Sequence, residues 1–234
     1  MVRVLAIADE EAPNLLVRTL RALRPDLVLS AGDLPWHYVE YVASSVDAPV
    51  VFVPGNHDPE IERVKKGRNG TYTSDGLPCD GPRPHGATNA DLRVVEAAGL
   101  RIAGLGGCVR YRPGPHQYTQ SQYERRGGRL LRRAKKAGAV DVLLTHAPPL
   151  RLGDGEDKPH EGIAALRTVL EQLEPSWHLH GHIHPYGRQM PDRQVGPTTI
   201  LNVIPWRMVE IHPRAANGTV SGARGWMTGR VSSW

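Results

Sequence analysis

The chain has 234 residues, of which 40% are hydrophobic and 23% charged, and its formal net charge is +5. This length suffices for a buried core, and we expect a single domain over residues 1–234. The two cysteines, Cys79 and Cys108, form no CxxC pair, which excludes thiolate zinc sites, iron–sulfur clusters and small disulfide scaffolds. No apolar run reaches the roughly 18 residues of a membrane span, so the sequence predicts a soluble cytoplasmic protein without a membrane partner.

The first part of the chain alternates between short apolar runs and helical patterns. Strands are predicted at residues 2–8, 27–30 and 50–53, because these runs are β-branched and too short for typical helices. Helices are predicted between them, at residues 14–23 and 35–45. This β–α–β–α–β order predicts a layered α/β fold whose functional sites lie beyond the carboxyl ends of the strands.

The remaining elements are predicted from the same signals. Residues 67–88, rich in Gly, Pro, Asp and Asn, predict a long surface loop with one or two short strands. The elements that follow are a hairpin around Ala98-Gly99, a helix over 121–137 with a Ser121–Glu124 capping box, strands at 140–144, 177–180, 199–203 and 208–211, and a helix over 162–173. The Gly-rich C-terminal segment is compatible with a hairpin or a loose tail.

Five segments place metal-ligand residue types directly after a predicted strand. Carboxylates, an amide oxygen and imidazoles together form the mixed donor set that divalent transition metals prefer. Because strand ends converge at one edge of a layered fold, we expect these side chains to meet. The segments are Asp9-Glu10-Glu11, Gly32-Asp33, Gly55-Asn56-His57-Asp58, Thr145-His146 and Gly181-His182-Ile183-His184.

The ordered pattern D…GD…GNHD…H…GHIH resembles the calcineurin-like metallophosphoesterase superfamily. The resemblance covers residues 9–184 and implies a four-layer α/β/β/α sandwich, two mixed β-sheets flanked by helices, with two metals at one edge. It also implies roles for individual residues. Asp33 would bridge both metals, Asp9 and His184 would complete the first site, Asn56, His146 and His182 would complete the second, and His57, oriented by Asp58, would lie unligated near the substrate phosphate.

One position departs from the family pattern. The first motif is usually D-x-H, but the third residue here is Glu11. Residues i and i+2 of an extended chain point the same way, so Glu11 is a candidate ligand that would favour Mn²⁺ or Mg²⁺ over Zn²⁺. Two alternatives stay open: Glu10 ligates, or the first metal binds weakly and the site is effectively mononuclear. We therefore expect one or two divalent ions, Mn²⁺ first, with Fe, Zn²⁺, Mg²⁺ and Ni²⁺ left open.

The function that the resemblance implies is hydrolysis of a phosphomonoester or phosphodiester. Two metals would share a bridging hydroxide that attacks phosphorus in line, with His57 as proton donor. Arg110 and Tyr111, in the loop after GLGG, are candidate substrate-binding residues, although solvated loop residues are the alternative.

Two other functions are compatible with the same motifs. One is a non-catalytic scaffold with the metallophosphoesterase fold, and the other is a nuclease. The basic run over residues 125–136 is more typical of a solvated helix face than of a nucleic-acid surface. The expected partner is therefore a small phosphorylated substrate rather than nucleic acid.

Overall fold

The computed structural model describes residues 1–61, 64–68, 70–79, 82–187 and 190–214. The Gly-rich C-terminal segment lies outside these residues. The helices of the described part are α1 (Val17–Leu23), α2 (Trp36–Ser45), α3 (Gln120–Ala137) and α4 (Ala165–Leu173). Its strands are β1 (Val2–Ile7), β2 (Leu27–Ser30), β3 (Val50–Phe52), β4 (Lys65–Gly67), β5 (Gly70–Tyr72), β6 (Pro78–Cys79), β7 (Ala87–Asn89), β8 (Val94–Ala97), β9 (Leu100–Leu105), β10 (Cys108–Val109), β11 (Gln117–Tyr118), β12 (Val142–Thr145), β13 (Trp177–His180), β14 (Arg193–Val195), β15 (Thr198–Asn202) and β16 (Trp206–Ile211).

Two mixed sheets organise these strands. The first has the order β16-β1-β2-β3-β7, and only β16 runs antiparallel to its neighbour. The second has the order β14-β15-β13-β12-β9-β8, with antiparallel strands at both edges and four parallel strands inside. Parallel strands end at a common edge, so each sheet gathers the loops that follow its central strands.

Side-chain alternation divides the core into three apolar layers. In β1, Val4 and Ala6 face the second sheet, whereas Leu5 and Ile7 face α1 and α2. The second sheet is likewise buried on its outer face by α3 and α4. This α/β/β/α arrangement confirms the predicted four-layer sandwich, and it explains why the strands are continuous apolar runs rather than alternating ones.

Two local predictions are corrected by the structure. The loop predicted at residues 67–88 contains more structure than expected, because β4, β5 and β6 form a small antiparallel sheet. The start of α3 also lies earlier than predicted. Thr119, not Ser121, is the N-cap, and Thr119 and Gln122 form the capping box. Gln is as good a partner as Glu here, because either side chain can accept the N-cap N–H.

No helix in the described part of the chain has both the length and the apolar character needed to cross a membrane. The longest helix is α3, whose outward face is basic and whose buried residues include Tyr123, Leu130 and Ala134. It packs on α4 through Gly127, where a Cβ atom would lie 3.2 Å from Val169 Cγ2. The glycine therefore permits close approach of the two helices.

The two adjacent glycines of α3 should respond differently to alanine. Gly128→Ala should raise the free energy of unfolding by about 0.5–1 kcal/mol, because glycine is a poor helix former. Among the described residues, Arg132 Nη1 at 3.7 Å is the one atom beyond the helix backbone and the chain neighbours that lies within 4 Å of the new Cβ. Gly127→Ala should gain less or lose stability, since Val169 must move. Urea unfolding of both variants measures this difference, and equal stabilisation at both positions would contradict it.

Candidate metal centre

Three side chains from both sheets converge at the edge of the sandwich. Asp33 follows β2, His146 follows β12 and His182 follows β13, and one ligand atom of each lies within 4.8 Å of the others. Asn56, after β3, joins them, because its Oδ1 lies 3.0 Å from His146 Nε2. His146 Nε2 is also 3.3 Å from Asp33 Oδ2. The structure thus brings together four residues that the sequence pattern predicted to meet.

Backbone carbonyl groups fix the orientation of both imidazoles. His146 Nδ1 is 2.8 Å from the carbonyl oxygen of Ala31, so Nδ1 donates and Nε2 faces Asp33. His182 Nε2 is 2.9 Å from the carbonyl oxygen of Pro159, so Nδ1 remains as the free ligand atom of that ring. Outward hydrogen bonds of this kind are typical of metal-binding histidines.

A second group adjoins these residues. Asp9 follows β1, is almost fully buried, and accepts the backbone N–H of His182 at 3.0 Å (Oδ2) and 3.1 Å (Oδ1). His184 Nε2 lies 3.7 Å from Asp9 Oδ1, while His184 Nδ1 lies 2.9 Å from Glu10 Oε1. Glu10 therefore orients His184. The sequence did not predict this contact, because the two residues are far apart along the chain.

The backbone at this edge is unusual in two ways. Asp9, Asp33 and His182 have φ angles of 61°, 55° and 67°, in the left-handed region that non-glycine residues seldom adopt. Two glycines allow the Asp33 and Asp9 carboxylates to pack directly against the backbone of neighbouring turns. A Cβ atom at Gly55 would lie 2.0 Å from Asp33 Oδ1, and one at Gly181 would lie 2.1 Å from Asp9 Oδ2. Strained residues of this kind cluster at functional sites.

Burial and close charges perturb the ionisation of the centre. Burial raises the pKa of Asp9 to about 6, and the nearby carboxylate of Asp33 adds to this effect against the lowering influence of His146. Burial also opposes ionisation of Asp33, but the charge and hydrogen bond of His146 outweigh it and lower the Asp33 pKa to about 2. For His146, burial is outweighed by Asp33, and its pKa rises to about 10.

The residues present fit a divalent metal. Two buried carboxylates lie close together, and His146 Nε2 faces two oxygen acceptors, Asp33 Oδ2 and Asn56 Oδ1. A proton or a cation between these atoms satisfies all three. A divalent cation would also neutralise the buried negative charge, and the mixture of oxygen and imidazole donors suits the first-row metals.

Glu11 is not placed in this cluster. Its side chain is 49% exposed, and its Oε1 atom lies 3.6 Å from His37 Nε2. The prediction that Glu11 ligates assumed an extended chain after β1, but the left-handed backbone at Asp9 turns the chain before Glu11 is reached. Of the two acidic residues that the sequence left open, Glu10 is the one that contacts the site, through His184.

The expected orientation of His57 by Asp58 is also corrected. Asp58 Oδ2 accepts the backbone N–H groups of Gly55 at 2.7 Å and Asp33 at 3.1 Å. It is buried because it joins the two turns that carry the ligands. His57 instead contacts the centre through its own backbone, whose N–H donates to Asp33 Oδ1 at 2.7 Å, and its side chain is exposed.

The loop between β10 and β11 reaches the site, but not through Arg110. The Arg110 guanidinium donates to the carbonyl oxygen of Gln117 at 3.1 and 3.2 Å, so it holds the loop together. Tyr111 does meet the site, because Asn56 Nδ2 donates to its hydroxyl at 3.4 Å. Arg112 also reaches the site, since its Nη2 atom lies 3.5 Å from His57 Nδ1. Nothing in the sequence distinguished Arg112 from the other polar residues of this loop.

Two further buried residues, Cys108 and His180, have structural roles. Cys108 is fully buried, and burial raises its pKa to about 12, which makes it a poor nucleophile. His180 is buried beneath the site, with Nδ1 3.0 Å from the carbonyl oxygen of Gly181. Burial lowers the pKa of His180 to about 4, so this ring is neutral.

The fold and the centre define a class of protein: an α/β sandwich that holds a carboxylate and imidazole metal site at the common edge of its two sheets. The chain belongs to the calcineurin-like phosphoesterase family, whose family model matches residues 3–186. This match confirms the resemblance drawn from the motifs.

Named relatives match shorter stretches. UPF0046 protein C25E10.12 of Caenorhabditis elegans is 35% identical over 100 residues, 39% of this chain and 33% of that protein. Metallophosphoesterase domain-containing protein 1 of Homo sapiens is 38% identical over 66 residues, 27% of this chain and 19% of that protein. The chain thus aligns with a third or less of each of these curated relatives.

Among solved structures, TT1561 of Thermus thermophilus aligns over 86% of this chain and 88% of its own, with a TM-score of 0.52 at 14% identity. A second solved structure aligns over 92% of this chain and 99% of its own, with a TM-score of 0.58 at 15% identity. At this identity the likeness shows the fold alone.

Metal binding should tighten as the pH rises. In the metal-free protein His146 is protonated below its pKa of about 10, and a metal at Nε2 must displace that proton. Raising the pH from about 6.5 to about 8.5 lowers the cost of removing the proton, so Mn²⁺ affinity should rise by up to about tenfold per pH unit. Calorimetric titration in buffers of different ionisation enthalpy measures both affinity and proton release. An affinity independent of pH would contradict this expectation.

Proposed function

We propose that this chain is a metal-dependent phosphoesterase that hydrolyses a small phosphomonoester or phosphodiester. The observation that carries the proposal is that Asp33 Oδ2 and Asn56 Oδ1 lie 3.3 Å and 3.0 Å from His146 Nε2. The backbone N–H of His57, whose side chain is exposed, donates to the same aspartate. Such a cluster can hold a divalent metal, and an exposed proton donor beside it is what phosphoester hydrolysis needs.

The proposed metal ligands form two groups that share Asp33. Asp9 and His184 complete the first group, and Asn56, His146 and His182 complete the second. The first group has two carboxylates and one imidazole, because position 11 supplies no second imidazole and the Glu11 side chain lies against His37 instead. This favours Mn²⁺. When bound, divalent ions supply Lewis acidity toward a phosphoryl oxygen and lower the pKa of a water molecule.

His57 is the proposed proton donor to the leaving oxygen. An arginine nitrogen can only donate a hydrogen bond, so the contact from Arg112 favours Nδ1 of His57 as the acceptor. The neutral ring then carries its proton on Nε2, the nitrogen available to a substrate. It must take up a second proton, on Nδ1, before it can donate from Nε2, because a neutral imidazole does not give up its only proton. The backbone bond from His57 to Asp33 fixes the distance of this ring from the metal centre.

Arg112 and Tyr111 are the proposed phosphoryl contacts. The Arg112 guanidinium lies 5.3 Å from the centre of the Tyr111 ring, and the two side chains meet His57 and Asn56 respectively. A guanidinium here can pair with a phosphate oxygen. Arg110, which the sequence favoured as a substrate contact, donates instead to the carbonyl oxygen of Gln117.

Removing the proton donor should separate catalysis from metal binding. His57→Ala should lower kcat by about 10²–10⁴-fold, the usual contribution of general acid catalysis, while Mn²⁺ binding measured by calorimetry persists. His212→Ala is a matched control, because His212 is exposed and follows β16 at the opposite end of β1 from Asp9.

The wild-type protein is tested with Mn²⁺ on a panel of phosphomonoesters, cyclic nucleotides, aryl phosphodiesters and oligonucleotides. Unchanged turnover in His57→Ala would remove His57 from the mechanism. Mn²⁺ binding without hydrolysis of any ester would favour the scaffold alternative, and hydrolysis confined to oligonucleotides would favour the nuclease.

The two arginines of the loop should differ in their effect. Arg112→Ala should lower kcat/KM by about 10–100-fold, the value of one charge-assisted hydrogen bond, and Arg112→Lys should recover part of it. Arg110→Ala should mainly lower thermal stability, because the guanidinium bonds to Gln117 and to Gln122 of α3. Steady-state kinetics and melting curves compare them, and a larger kinetic loss for Arg110→Ala would reverse the assignment.

A further inference from the structure

A cavity of about 420 Å³ opens directly beside the candidate metal centre. It shares Asp33 and His57 with the centre, and its far wall is formed by the first residues of α2 together with Pro59 and Arg83. Its volume falls within the range of about 300–1,000 Å³ that is typical of small-molecule sites. Neither the metal ligands nor the phosphoryl contacts account for this space.

We infer that this cavity binds a planar aromatic group on the leaving alcohol of the phosphoester. The inference rests on the proposed function, because a phosphoryl group at Asp33 would direct its leaving oxygen toward His57, and both residues line the cavity. In the reaction, water forms a new O–P bond and releases one proton to solvent, and the bond from phosphorus to the leaving oxygen breaks. The imidazolium of His57 protonates that oxygen, and the ring then regains a proton from solvent. The products are a phosphate and an aromatic alcohol.

The wall of the cavity has the character of an aromatic site. Trp36, the first residue of α2, is half-buried and lines it between Pro35 and the rim residue His37. Pro59 lines the side next to His57. An indole ring flanked by prolines offers flat apolar surface to a planar ring. The polar edge of His37 gives a ring with heteroatoms or hydroxyl groups a place to bond.

The charges of the wall do not favour a second phosphate. Arg83 is the one Lys or Arg side chain among the described residues of the lining, and it is bonded to Glu40 through both Nε (2.9 Å) and Nη2 (2.7 Å). The hydrogen bond from Arg83 lowers the pKa of Glu40 to about 2, so the pair is neutral overall. The Arg83 guanidinium also lies 5.8 Å from the centre of the Trp36 ring, which it helps to hold in place.

Acidic groups strengthen this argument. The buried Asp58 also lines the cavity, and the charge of Asp33 would be taken up by the metal, so neither residue gives an anionic leaving group a cation to bind. The cavity therefore fits an aromatic alcohol that carries no charge of its own. Two sources supply such a group, a simple aryl ester and a nucleoside ester, and the experiment distinguishes them.

The experiment compares esters whose leaving groups differ in shape. We compare kcat/KM for 1-naphthyl phosphate and n-butyl phosphate, and for the matching methyl diesters, in the Mn²⁺-loaded protein. Aryl esters are intrinsically more reactive, so the informative quantity is the change in the aryl-to-alkyl ratio between variants. Trp36→Ala should lower this ratio about tenfold. Trp36→Phe should restore most of it, and Trp36→Leu, which is apolar without a ring, should not.

Binding gives a second readout that requires no turnover. 1-Naphthylphosphonate should bind about tenfold more tightly than butylphosphonate to the wild-type protein, and Trp36→Ala should remove the difference. Displacement of 1-naphthylphosphonate by a nucleoside 5′-monophosphate would indicate a nucleoside source, whereas its retention would indicate a simple aryl ester. Leu77→Ala is the control, because Leu77 is 66% exposed in the turn between β5 and β6 and does not line the cavity.

The outcomes separate the two proposals. An aryl-to-alkyl ratio and a phosphonate preference that are equal in the wild type and Trp36→Ala would overturn the aromatic site, even if hydrolysis continues. Absence of hydrolysis of every ester would overturn the proposed function, while Trp36-dependent binding of 1-naphthylphosphonate would still support the cavity as an aromatic site.

Discussion

Two carboxylates buried side by side at the edge of the sandwich are the constraint on which the rest of the structure depends. Charges removed from water are costly unless they are paired or hydrogen-bonded. Asp9 is offset by the backbone N–H of His182, and Asp33 by the backbone N–H of His57 and by the imidazole of His146. The left-handed residues and the close glycines of this edge follow from the need to place donors around these oxygens.

The same constraint links the loops to one another. Asp58 receives N–H groups from the turn after β2 and from its own turn after β3. His146 is held by Ala31, which directly follows β2. Asp9, Asp33 and His146 are therefore each positioned by a loop that carries another residue of the candidate centre, and His57 links this centre to the cavity beside it.

Much of this architecture could be predicted from the sequence, because its signals are local. Short β-branched runs marked the strands, and GD, GNHD and GHIH marked the strand ends that supply Asp33, Asn56 and His182. Side-chain directions after a strand could not be predicted in the same way. The period-2 rule that favoured Glu11 holds only for extended backbone, and the turn at Asp9 ends it. The sequence could not distinguish Arg110 from Arg112 as a substrate contact. The folded loop places Arg112 beside His57 and Arg110 beside the Gln117 carbonyl group.

The hydrogen bonds around the metal positions join residues that are far apart along the chain. Asp9 and the backbone N–H of His182 are 173 residues apart, and β1 pairs on one side with β2 and on the other with β16. Contacts of such long range form late, because the loop entropy must be lost first. A ribosome-bound chain that stops short of β13 already carries His146 but lacks His182 and His184, so it has no complete centre. The complete candidate centre is consequently a property of the finished fold, because its charged groups come together only after β13 has joined the second sheet.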